Sequence, residues 1–210
     1  MSSHLEPARL PLTKIRSCQP TLTPVTLELG GKNPAFVTKN ADVRLAARRL
    51  LWAKVHNAGQ VCVSQNYIMV DKEILPAFIA ELKNAMAVFF PVGIKDSPDY
   101  GRIVNEGAFR RLKAMLDNSK GKILMGGTMD EKDLFIEPTV IQVDSPEDSL
   151  IIDESFGPLI PVLPVANLEE AIKIANQVHS TPLGIYPFGT PAETDRGLDH
   201  FPLNPCHHPC

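Results

Sequence analysis

Two short stretches, TLELGGKNP at Thr26–Pro34 and NAGQVC at Asn57–Cys62, decide how this chain is read. They flank a segment of helical length and bring a carboxylate, paired turn glycines and a cysteine into one region. Glu28 stands just before Gly30 and Gly31, and Cys62 closes the second stretch. The chemistry such a set can do is specific. A thiolate attacks an electrophilic carbon, and a carboxylate nearby activates the water that releases the covalent intermediate.

Working outward, residues 24–29 alternate enough to form a strand that runs into the Gly30–Gly31 turn, and Ala35–Val37 is a second short extended piece. Asn40 or Asp42 can cap a helix on which Val43, Ala46, Ala47, Leu50 and Leu51 recur at helical spacing. That helix is expected to end near Asn57–Gly59, which puts Cys62 in or just after a glycine-marked turn. Residues 67–70 read as a buried strand, and 74–90 as a helix with Pro76 in its first turn. A third helix is expected at about 103–118, with Phe109, Leu112, Met115 and Leu116 facing inward. Extended segments follow at 122–125, at 135–143 around Pro138, and at 159–165. Asn167 with Glu170 makes a capping box for a helix to about Val178, and 182–188 is a final strand.

Strands alternating with helices of this length predict an α/β fold, a mostly parallel sheet with flanking helices. Residues 1–23 hold prolines and no repeated apolar face, and read as a disordered leader. Residues 24–190 form the patterned domain. Beyond about residue 190 no periodicity is visible, so 191–210 reads as a Pro/Cys/His-rich tail.

Composition narrows the function classes. A net charge of -3 gives no basic footprint for nucleic acid. No apolar run is long enough for a transmembrane helix, and the N-terminus lacks the hydrophobic core of a secretory signal. Of the cysteines only Cys62 lies in the patterned body, which points to a reducing, cytoplasmic setting and no disulfide framework. Cys206-His207-His208-Pro209-Cys210 has soft ligands but no second pair at zinc-finger spacing, so no metal site is expected.

The two opening motifs resemble the glutamate and cysteine motifs of the aldehyde dehydrogenase superfamily. Residues 24–190 as a whole resemble the catalytic domain of its class 3 (fatty and aromatic aldehyde) branch. SPDYGRIVN at 97–105, IEPTVIQVD at 136–144 and DESFGPLIPVLPV at 153–165 agree with that branch in order and spacing. The resemblance implies NAD(P)-dependent oxidation of an aldehyde to a carboxylic acid. In it Cys62 is the nucleophile, passing through a thiohemiacetal to a thioester, and Glu28 is the base for the deacylating water. Leu27 and Leu29 beside Glu28 suggest an apolar setting that raises its pKa. Glu154 matches the position that holds the nicotinamide-side ribose, and Phe156 the nicotinamide wall. Gly30 would let the backbone pass close to cofactor or substrate.

The resemblance covers the catalytic domain alone, truncated at both ends. In the family a dinucleotide-binding domain precedes the glutamate motif, so NAD or NADP is expected to bind weakly here. Three readings stay open: an aldehyde dehydrogenase-related enzyme, an inactive truncated paralogue, or a non-catalytic interaction partner of a full-length homologue. As partners, besides an aldehyde substrate, a second copy of the chain or a full-length homologue could cover the face left exposed.

Overall fold

The computed structural model describes residues 30–201. Its centre is a six-stranded sheet in the order β3-β6-β7-β2-β1-β8. The strands are β1 (Pro34–Val37), β2 (Tyr67–Asp71), β3 (Lys122–Met125), β6 (Thr139–Gln142), β7 (Leu159–Val165) and β8 (Tyr186–Phe188). Every pairing is parallel except β3 with β6. The expected α/β architecture is therefore present, with one antiparallel edge strand. A separate two-stranded ribbon joins β4 (Met129–Asp130) to β5 (Phe135–Ile136).

The central strands are buried end to end, as their unbroken apolar runs require when helices cover both faces. The helices are α1 (Val43–Val55), α2 (Leu75–Phe89), α3 (Glu106–Asn118), α4 (Ser149–Ile152), α5 (Leu168–Val178) and α6 (Pro191–Asp199). Asp42 caps α1 by accepting the Leu45 N–H at 2.9 Å, and α1 buries Ala46, Ala47, Leu50 and Leu51. Among the described residues no helix is long and apolar enough to cross a membrane.

Four expectations need correction. The third helix begins at Glu106 rather than about 103, because Asn105 caps it through the Ala108 N–H and the Ile103 N–H is already bonded to the Leu134 carbonyl. The extended run 135–143 breaks at Pro138, which cannot donate to a ladder, and its halves join different sheets. At α5 the box is not reciprocal: Asn167 accepts the Glu170 N–H, but the Glu170 carboxylate takes the Ala166 N–H. Lastly, the chain beyond residue 190 is helical in α6, and Phe201 after it stacks on Phe36 at 6.0 Å between centroids. The strand expected at 24–29, the leader 1–23 and the Cys/His-rich end lie outside the described residues.

Candidate active site

Four segments far apart in sequence lead directly into neighbouring strands. Gly30–Asn33 precedes β1, Cys62–Asn66 precedes β2, Glu154–Pro158 precedes β7, and Leu183–Ile185 precedes β8. Because β7, β2, β1 and β8 are adjacent and parallel, their amino ends fall along one edge of the sheet. This topology is what collects the motif residues.

The cysteine sits on a loop held in a sparsely populated backbone conformation. After α1 the chain passes through Asn57 (φ 48°), Ala58 (φ 51°) and Gly59 (φ 73°) in succession. Left-handed geometry at a non-glycine residue costs about 1–2 kcal/mol. The surroundings offset it. Asn57 Nδ2 donates to the Gln60 carbonyl at 3.0 Å, and Gln60 Nε2 donates to the Asn57 and Arg102 carbonyls. Gln60 Oε1 accepts the Val104 N–H at 2.9 Å, tying the loop to the segment before α3. Cys62 emerges from this loop as a free, exposed thiol in a turn.

Two residues that sequence reasoning passed over hold that turn. Asn33 is completely buried, and its Nδ2 donates to the Cys62 carbonyl at 2.8 Å and the Ser64 carbonyl at 3.0 Å. Its Oδ1 accepts the Gly184 N–H at 2.8 Å, which links the cysteine turn to the approach to β8. The Tyr186 hydroxyl donates to the Val63 carbonyl. The Tyr186 phenol is raised above its ordinary range, first by burial and then by the neighbouring Cys62. Asn33 stood in the quoted motif, but its partners are distant in sequence.

Gly30 and Glu154 meet as neighbours. Gly30 has a φ of 76°, and a Cβ there would overlap the Glu154 carboxylate. The Glu154 carboxyl is raised by burial, opposed by a hydrogen bond from the Gly31 N–H and by the charges of Lys54 and Arg111. Lys54, on the last turn of α1, is almost wholly buried. Burial draws its ammonium down to about 7 against the pull of Glu154. Arg111 on α3 donates to the Glu154 carbonyl at 3.2 Å and the Ser155 carbonyl at 2.6 Å, pinning the turn on which Phe156 adopts a φ of 48°. The Phe156 ring stands partly in solvent. Glu28 lies outside the described residues. Of the residues expected to act together, the structure collects Cys62, Gly30, Glu154 and Phe156 along one sheet edge.

The aldehyde dehydrogenase family matches residues 13–182. The chain belongs to that family. A beta-apo-4'-carotenal oxygenase of Neurospora crassa is 57% identical over 184 residues, covering 88% of this chain and 34% of its own. The rat dimeric NADP-preferring aldehyde dehydrogenase is 42% identical over 167 residues, 80% of this chain and 36% of its own. Among solved structures, the substrate-bound state of AldH from Staphylococcus aureus superimposes with a TM-score of 0.84 at 34% identity, covering 91% of this chain and 42% of that one. The chain thus spans about a third of the length of these curated relatives. The aldehyde dehydrogenase catalytic-domain fold accounts for the mostly parallel sheet and its flanking helices.

Proposed function

We propose that this chain supplies the nucleophile half of an aldehyde-oxidising site of the class 3 type. The observation that carries the reading is the exposed Cys62 at the amino ends of four neighbouring parallel strands, beside the segments that hold Gly30 and Glu154. The Cys62 thiol adds across the aldehyde C=O to give a thiohemiacetal. Loss of hydride from that carbon, with the hydroxyl proton, leaves a thioester. Water activated by Glu28 then releases the carboxylic acid and restores the thiol.

NAD or NADP, when bound, supplies the hydride acceptor. The residues at the site fit one end of such a molecule. Glu154 presents a carboxylate packed against Gly30, suited to ribose hydroxyls, and Phe156 offers an exposed flat ring. The phosphate end finds no glycine-rich loop ahead of a helix among the described residues, so binding to this chain alone is expected to be weak.

Intact-mass detection of acylation by p-nitrophenyl acetate, with and without NAD, tests the reading against the Cys62→Ala protein. Stoichiometric labelling at Cys62 and turnover promoted by NAD are expected, with both abolished in Cys62→Ala. Slow labelling spread over all the cysteines would reduce the family relation to ancestry and favour the inactive paralogue.

A further inference from the structure

We propose that Asn33 and Tyr186 are positioning residues that hold the carbonyls of the cysteine turn inward, so that its amide N–H side faces the charge developed during acyl transfer. The inference rests on Cys62 being the nucleophile. Four consecutive carbonyls are engaged, one within the turn and three by the Asn33 and Tyr186 side chains. Val61 O accepts the Ser64 N–H at 2.9 Å, Cys62 O and Ser64 O accept from Asn33, and Val63 O accepts from Tyr186. A trans peptide is planar, with C=O and N–H pointing in opposite directions. Fixing the Cys62 carbonyl on buried Asn33 therefore turns the Val63 N–H away from Asn33, next to the exposed Cys62. Among the described residues neither the Cys62 nor the Val63 N–H is bonded to an acceptor.

The two side chains suit this task because each is itself fixed. Asn33 uses both amide hydrogens and its oxygen, and its own N–H is directed to Asn66 Oδ1 at 3.3 Å. Tyr186 is the first residue of β8, paired in register with Ala35 on β1, so its hydroxyl reaches the turn from a rigid strand. A Cβ at Gly184 would come within 2.7 Å of that hydroxyl, so the glycine clears its path. Oriented N–H donors are most effective where a tetrahedral oxyanion forms, and they contribute little to a displacement at saturated carbon.

That difference supplies the test. Wild type, Tyr186→Phe and Asn33→Asp are each treated with p-nitrophenyl acetate, whose attack builds an oxyanion, and with iodoacetamide, whose attack does not. Modification at Cys62 is read by mass. In Tyr186→Phe the Cys62 acylation rate is expected to fall about tenfold and in Asn33→Asp further, with Cys62 alkylation changed less than about twofold. Parallel loss of both reactions in Tyr186→Phe would make the contact merely structural and overturn the proposal. So would the absence of any loss while wild type is acylated at Cys62. A wild type without preferential Cys62 acylation would sink the active-site reading itself, and this inference with it. If Asn33→Asp does not fold, Tyr186→Phe alone decides.

Discussion

At the carboxyl ends of β1, β2 and β7 the space left between Val37, Asp71, Val165 and Leu168 is about 10 Å³, room for roughly one water. At the amino ends of the same strands lie a free thiol, a half-buried carboxylate, a buried lysine and three successive left-handed residues. Open parallel sheets usually receive ligands at their carboxyl ends. Here that edge is shut, since Glu193 of α6 accepts hydrogen bonds from Thr38 and Asn40 just beyond β1. Backbone strain gathers at one edge, and side-chain hydrogen bonds close the other. The amino edge carries the strained backbone and the exposed thiol, and each variant below probes whether that division is real.

The largest effect is expected at Gly59. Its φ of 73° is unfavourable for any other L-residue, and an added Cβ would overlap the Gly157 carbonyl, which is backbone and cannot swing aside. Gly59→Ala should lower stability by about 2–4 kcal/mol and slow Cys62 acylation, because it pushes the cysteine loop away from the Glu154–Gly157 turn. Thermal unfolding followed with acylation measures both. A stability change below about 0.5 kcal/mol would mean that the two turns are not pressed together.

Lys54 makes the second contrast. Its folded pKa of about 7 lies below the ordinary lysine value of 10.5, so between these values the unfolded chain binds more protons than the native one. Stability should therefore rise with pH across that window, by at most about 1.4 kcal/mol per pH unit from this group, and the full penalty remains below pH 7. Lys54→Met should flatten the slope of urea-unfolding stability between pH 7 and 10. An unchanged slope would show that Lys54 stays charged in the folded protein.

Much of this architecture is legible in the sequence, for identifiable reasons. The central strands announce themselves as apolar runs because both faces are covered, and Asp42 and Pro76 mark helix starts by local chemistry. The cysteine turn was readable from Gly59, a turn residue just ahead of Cys62, although the helix ends earlier, at Val55, and the left-handed backbone begins at Asn57. Helix α6 escaped because it buries only Gly197 and shows no apolar stripe; its signal lay in Thr190, Pro191 and Glu193, a capping box with proline at the first position. Asn33, Tyr186, Lys54 and Arg111 escaped for another reason. Their roles arise from pairings between segments that are brought together only by strand order, which no local pattern encodes.

The smallest effect belongs to the closed edge, and it is the sharpest check on the comparison. The Thr190 hydroxyl accepts the Glu193 N–H at 3.3 Å and donates to the Glu193 carboxylate at 3.0 Å. Thr190→Ala removes both bonds, yet Glu193 keeps the Thr190 N–H at 2.8 Å together with Thr38 and Asn40. The loss should be about 1 kcal/mol, a shift of about 2–4 °C in Tm. Acylation of Cys62 should stay within about twofold of wild type, since the change lies beyond the carboxyl end of β8 and the thiol stands at the opposite edge. A tenfold loss of acylation with the same small shift in Tm would mean that α6 acts on the cysteine turn through β8 and Tyr186. The two edges would then be one mechanical unit, and the closed edge would be part of what holds Cys62 in place.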